Sequence, residues 1–382
     1  MMHRALSALT LLAALALASA AAAQGFTTPA RNVVIMDAGS GAILYCDACE
    51  APMPPASMSK LMTVLMVAER LAAGQLSMDT RFTVSENAWR HGAMSDGSHM
   101  FLPLNGEVSV RDLLSGLIIV SANDAGIVLA EGISGSEEAF VHAMNRRAQE
   151  LGLSSARFRN TTGLPHPEHV ISAADLARLA RLLIRDYPDL YRLYSQRDFT
   201  YNNRTQQNRN PLLGAFQGAD GVKTGHTRES GYGLVGSAML NGQRRIIVFN
   251  GMRTMAERRS EAVRLMGAAF HDFSVTQVAA AGDQVGEAAV RLGGRRNVPL
   301  VAQSDIIIGG PRGVQSNLTA SIIYTGPIPS PISEGDVVAR LVIEGPGYDT
   351  QEFPLAAGRR VGRADWFSRA FEGLRLTLFG PS

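Results

Sequence analysis

Apolar and polar positions alternate over residues 32–45 on either side of Ala38-Gly-Ser-Gly41, a pattern that predicts a β-hairpin. Pro54 and Pro55 then stop the strand and introduce a helix from about Ala56 to Ala73, closed by Gly74. Leu61, Met62, Val64, Leu65, Met66 and Val67 make that helix apolar nearly all round, which places it inside a domain. Two further helices, Val110–Val120 and Ala122–Leu129, flank a polar break at Ser121. Ser134-Gly-Ser-Glu137 reads as a capping box before a helix that Gly152 ends, and Ser172-Ala-Ala-Asp175 repeats the signal. Gly231–Ala238 and Arg244–Phe249 bracket Asn241-Gly242, a strong hairpin turn. Leu265–Phe273 reads as a closing helix.

The texture changes near residue 274. Leu318–Thr325 and Val337–Glu344 alternate at period two between turns rich in Gly and Pro, which predicts a small all-β sandwich over 274–362. In residues 363–382, Trp366, Phe367, Ala370, Phe371, Leu374 and Leu378 recur at helical spacing opposite Arg369 and Arg375. This amphipathic helix suits either a membrane interface or packing on the β domain, and its terminal place favours the membrane. At the other end, a positive start, the apolar run Ala5–Ala18 and Ala21-Ala22-Ala23 read as a signal peptide over 1–23.

At 382 residues the chain exceeds one ordinary core, so two domains are expected. A net charge of +2 leaves no basic excess for a nucleic-acid partner. Cys46 and Cys49 form Cys-Asp-Ala-Cys outside the strand-to-helix setting of a redox centre. They are too few for a structural zinc site, which leaves a local disulfide or a pair of loop thiols. His166-Pro-Glu-His169 could suggest a metal, but the proline breaks helical ligand spacing, so no metal or cofactor is expected.

Three short motifs carry the chemistry. Ser57-Met-Ser-Lys60 opens the apolar helix, Ser121-Ala-Asn123 sits at the helix break, and Lys223-Thr-Gly225 enters the second hairpin. Residues three apart share a helix face, so the Lys60 amine can reach the Ser57 hydroxyl. Serine becomes a nucleophile when a base takes its proton, and lysine is a base only when neutral. Burial and a second cation, for which Lys223 is the candidate, both favour the neutral form. The helix alone fits a solvated lysine at a polar helix start equally well. Ser121 could relay a proton to the leaving amine and Asn123 could hold a substrate amide, or both could simply cap helices. Gly225 lets a substrate backbone approach, while Lys223 and Thr224 can bind a carboxylate.

In their order and settings these motifs resemble the S-x-x-K, S-x-N and K-T-G set of penicillin-recognising enzymes. Pro55–Thr63, Ser85-Glu-Asn-Ala-Trp89, Phe158–Pro165 and Asp220–Thr227 extend the likeness to the low-molecular-mass D-alanyl-D-alanine carboxypeptidases, from about Asn32 to Phe379. The resemblance implies an α+β fold, a penicillin-binding/β-lactamase-like domain over 26–273 with an antiparallel sheet flanked by helices, then the all-β domain. It also implies that Ser57 attacks the peptide bond between two D-alanines of a peptidoglycan stem peptide, with Lys60 as base. Ser121 and Asn123 take the parts above, and the N–H groups of Ser57 and His226 form the oxyanion hole. Lys223, Thr224 and Thr227 meet the terminal carboxylate, with Arg209 and Arg258 near it. Water then frees the acyl-enzyme. Further implications are covalent inhibition by β-lactams and a periplasmic enzyme held at the outer face of the inner membrane by its terminal helix.

Ala122 stands where the family often has glycine. A class A β-lactamase shares the triplet, yet the E-x-x-L-N loop that activates its deacylating water has no counterpart between Asn123 and Lys223. A DD-endopeptidase would use the same residues in a wider cleft. A non-catalytic wall-binding module is disfavoured by the intact Ser57 and Lys60.

Overall fold

The computed structural model describes residues 26–93, 97–313, 317–346 and 348–364. The predicted leader lies outside the described residues, as does the terminal helix, except that Arg363 still forms an extended bridge with Gly293. Among the described residues no helix is long and apolar enough to cross a membrane.

The first domain is built on five antiparallel strands: β1 (Val33–Asp37), β2 (Ile43–Asp47), and, after two small strand pairs, β7 (Ala219–Thr227), β8 (Gly231–Leu240) and β9 (Gln243–Met252). Their order is β2-β1-β9-β8-β7. The small pairs are β3 (Arg81–Thr83) with β4 (Glu107–Ser109), and β5 (Asp198–Tyr201) with β6 (Arg204–Gln207). Side chains alternate across a strand, so each face of the sheet collects its own core. Val34, Met36, Val235, Ile246 and Val248 join the larger apolar cluster. That cluster is shared with α1 (Lys60–Ala72), α3 (Val110–Ser115), α4 (Asn123–Ser134), α5 (Glu137–Glu150) and α6 (Ala173–Asp186), while α2 (Glu86–Ala93) contributes Ala88. Val33, Ile35, Leu234, Ile247 and Phe249 face the other way, against α7 (Met255–His271). Cover on both faces explains why all five residues of β1 are buried.

The predicted hairpins and helices are present, with three differences. Asn241 and Gly242 both take positive φ, as a two-residue hairpin turn requires. The segment carrying Ser57 begins as a 3-10 turn, Ala56–Ser59, before α1 proper. The closing helix starts ten residues earlier than predicted, because Thr254 caps it through the Glu257 N–H. The capping box at Ser134 is displaced: α4 runs through Ser134, Gly135 turns left-handed, and Ser136 accepts from the Ala139 N–H. Glu137 is drawn from any box to the Thr161 N–H (2.9 Å) and hydroxyl (2.7 Å). The cap at Ser172 stands as read.

Beyond α7 the described chain is all strand. β10 (Phe273–Ala279) pairs with β13 (Ile306–Pro311). A six-stranded sheet is formed by β11 (Gln284–Arg291), β12 (Asn297–Ala302), β14 (Thr319–Ile323), β15 (Ile328–Pro329), β16 (Val337–Gly345) and β17 (Tyr348–Ala357). It encloses a separate core of Val298, Leu300, Leu341 and Leu355. Gly309 packs on Ile43 and Leu44 of β2, which joins the two domains at the sheet edge where Cys46 and Cys49 form a disulfide.

Ser136→Ala should lower stability by about 1 kcal/mol, the usual worth of an N-cap, whereas Ser134→Ala should cost less than about 0.5 kcal/mol. Urea midpoints of the two variants check which serine is the cap.

Candidate active site

Two glycines seat the turn that carries Ser57. A side chain on Gly163 would place its Cβ 2.0 Å from the Ala56 carbonyl oxygen, and the residue's φ of +82° is itself glycine territory. A side chain on Gly225 would meet the Pro55 carbonyl oxygen at 2.7 Å. The close approach that Gly225 permits is therefore that of the chain's own Ala56–Ser59 turn, which brings β7 against it. Ala56 takes a positive φ at the same spot.

From this turn Ser57 faces Lys60. The amine lies 2.8 Å from Ser57 Oγ and 2.8 Å from Asn123 Oδ1, and it also donates to the Thr162 carbonyl. Three partners suit a neutral amine well: two N–H bonds go to the carbonyl-type oxygens, and the lone pair is left for the serine hydroxyl. Lys60 is fully buried, and its pKa is lowered to about 7, first by burial, then by the Arg209 cation, against the pull of Asp124. Asp124 itself is raised by burial, opposed by N–H bonds from Met100, Ala125 and Leu102.

Ser121 follows a π-helical turn, Gly116–Val120, and sits in the left-handed region at φ +64°. For serine this is an uncommon conformation, and it is held here by the apolar packing around the turn. Its Oγ is buried and has no hydrogen-bond partner among the described residues. Two residues on, Asn123 opens α4 and donates its backbone N–H to the Ser98 carbonyl at 2.7 Å.

β7 contributes Lys223, the segment before it Arg209, and α7 Arg258. Lys223 is buried, and among the described residues its amine donates only to the Thr224 carbonyl, at 3.3 Å. Burial, then Lys60, Arg209 and Arg258, hold its pKa well below the ordinary lysine value. Arg209 donates to Ser98 Oγ, and burial lowers its pKa. No ion pair among the described residues involves Lys60, Lys223, Arg209 or Arg258. A concentration of basic side chains without a carboxylate partner is a ready receptor for a carboxylate. Thr224 is buried beside them, while Thr227 is tied to Ser230 through both its N–H and its hydroxyl. His226 is exposed and stacks on Tyr232 at 3.7 Å, and Arg258 lies over the same Tyr232 ring at 5.5 Å. Arg258 thus reaches the cluster through an aromatic ring and by its field.

Hydrogen bonds join Ser57, Lys60 and Asn123 directly, with Ser121 adjacent. Sequence reasoning missed the Thr162 carbonyl, Gly163 and Asp124. The first two belong to Phe158–Pro165, a stretch noticed for its likeness and given no task. His169, from the rejected metal motif, is buried; its Nδ1 accepts from the Arg159 N–H, and burial with Lys60 lowers its pKa to about 4. Among the described residues no cluster of His, Cys, Asp or Glu could hold a metal.

A D-alanyl-D-alanine carboxypeptidase family profile matches residues 18–254, and one for the penicillin-binding protein 5 C-terminal domain matches 273–363. The D-alanyl-D-alanine carboxypeptidase DacA of Haemophilus influenzae is 37% identical over 362 residues, covering 93% of this chain and 92% of that protein. The crystal structure of penicillin-binding protein 5 from Haemophilus influenzae superposes with a TM-score of 0.75 at 37% identity, over 89% of this chain and 100% of that one. Penicillin-binding protein D2 from Listeria monocytogenes, in its ampicillin-bound form, matches at TM-score 0.58 and 30% identity. That match covers 64% of this chain and 99% of the other.

With Lys60 losing its proton near pH 7, acylation of Ser57 by a β-lactam should rise with pH. Below about pH 6 the rate should fall roughly tenfold per unit, and above about pH 8 it should level off. Stopped-flow acylation rates from pH 5 to 9 check this; a flat profile would remove Lys60 from the role of base.

Proposed function

The chain belongs to the D-alanyl-D-alanine carboxypeptidase family, and from that footing we propose how its residues perform the reaction. It is a penicillin-binding serine hydrolase of peptidoglycan, which removes the terminal D-alanine of stem pentapeptides. The observation that carries the residue-level reading is the Lys60 amine, buried, lowered to about 7 and 2.8 Å from Ser57 Oγ.

Neutral Lys60 takes the hydroxyl proton as Ser57 Oγ attacks the carbonyl of the penultimate D-alanine. Backbone N–H groups of Ser57 and His226 receive the oxyanion. The unpaired Lys223, with Thr224, Thr227 and Arg209, takes the terminal carboxylate, and Gly225 keeps the strand close to the nucleophile turn. Arg258 acts at longer range through its charge and Tyr232. Asn123 divides its side chain between Lys60 and the substrate amide. Ser121, whose hydroxyl is left without a protein partner among the described residues, relays the proton taken up by Lys60 to the departing D-alanine nitrogen, so that D-alanine leaves as the amine and both Ser121 and Lys60 regain their starting forms. Water then attacks the ester carbon, Lys60 again serving as base, and Ser57 is regenerated. Penicillins acylate the same oxygen.

Purified protein should release D-alanine from a pentapeptide ending in D-Ala-D-Ala and take up labelled penicillin. Ser57→Ala should lose both by at least about 10³-fold. Wild-type protein giving neither product would refute the assignment.

Export by residues 1–23 and attachment of residues 363–382 to the outer face of the cytoplasmic membrane rest on the sequence pattern. In flotation with anionic lipid vesicles the mature chain should rise with the lipid, and a chain ending at residue 363 should stay below. Equal behaviour of the two would remove the anchor.

A further inference from the structure

A second charged feature lies next to the site in the hydrogen-bond network. Residues 98–102 form a strip tied at one end to the site: Ser98 accepts the Asn123 N–H and receives Arg209. Asp124 holds the strip down through the Met100 and Leu102 N–H groups, and both of those side chains are buried. The intervening Phe101 is turned outward at a left-handed φ of +62° and is 41% exposed. A large apolar side chain in that conformation is strained, and the strip is bonded to Asp124 on both sides of it.

Two partners flank the ring. The Arg204 guanidinium sits 4.2 Å from the Phe101 centroid, and His99 stands edge-on at 4.3 Å. Gln206 donates to the His99 carbonyl at 3.1 Å, which clips the β5–β6 hairpin, and Arg204 with it, onto the strip. His99 Nδ1 is spent on the Gly97 carbonyl. Asp124, the carboxylate bonded to this strip, is occupied by backbone N–H groups. Arg204 is exposed, and among the described residues its side chain has neither hydrogen bond nor ion pair. A guanidinium held over a ring keeps its position and is weakly hydrated, which suits recognition of a carboxylate.

We propose that Phe101 and Arg204 form a subsite for a second carboxylate of the substrate, borne by a residue upstream of the D-alanines. This inference rests on the carboxypeptidase reading, in which the terminal carboxylate already belongs to Lys223, Thr224 and Arg209. The ring packs against the upstream residue and Arg204 pairs with its charge, so the enzyme selects stem peptides whose upstream carboxylate is free over those in which it is amidated.

The test uses two synthetic pentapeptides ending in D-Ala-D-Ala, identical except for one upstream residue carrying either a free carboxylate or its amide. Wild-type kcat/KM should favour the acidic peptide by about five-fold at low ionic strength, the preference shrinking as salt rises. Arg204→Gln should bring the ratio to about one, and Arg204→Glu should invert it, a reversal that a merely structural role would not produce. Labelled penicillin on Ser57 reports that each variant is folded. A wild-type ratio near one, or a ratio that survives both substitutions, overturns the subsite alone. Absence of D-alanine release from either peptide overturns the carboxypeptidase reading and the subsite with it.

Discussion

A lysine amine withdrawn from water and bonded to no carboxylate is the constraint on which the active site depends. Such a group is costly to keep charged, and the fold makes no attempt to neutralise it with an ion pair. The Thr162 carbonyl and the Asn123 amide oxygen satisfy its N–H bonds, while Arg209 adds to the pressure against protonation. Its environment needs α1 to be apolar all round, the 161–163 segment to close over it, and α4 to begin at Asn123. Each of these depends on the others: Glu137 holds Thr161, the Thr161 carbonyl accepts Thr63, and Gly163 admits Ala56.

The same environment governs stability. A lysine whose folded pKa lies near 7 binds fewer protons in the native state than in the unfolded chain between about pH 7 and 10.5. Lys60 therefore opposes folding most strongly below pH 7 and ceases to do so as pH rises through that window. The site keeps this buried amine at an energetic cost that the two apolar cores must offset.

Much of this was legible in the sequence because it is local. Ser57 and Lys60 sit one turn apart, Asn241-Gly242 fixes its own hairpin, and Ser172 caps its own helix. What escaped was long-range. The Thr162 carbonyl belongs to a backbone group over a hundred residues from Lys60, and any residue type supplies a carbonyl. Ser134 and Ser136 are equivalent by composition; only the left-handed turn at Gly135 decides which of them caps. Phe101 and Arg204 are distant in the chain, and nothing in either segment announces the other. Cys46 and Cys49 fit a disulfide or loop thiols equally well by sequence, and they are bonded to each other.

β7 has one further consequence, as the last strand in the sheet order β2-β1-β9-β8-β7. An outermost strand exposes a row of unmatched N–H and C=O groups, which in most proteins invites association between molecules. Here the Ala56–Ser59 turn packs on that strand at Gly225, and Lys223 and Thr224 on the same strand are buried. An edge of this kind is where an extended chain can add itself as one more strand. A ligand that did so would be filtered by backbone thickness and direction before any side chain is inspected, and the hazard of an unfinished sheet would become a gauge of what is admitted.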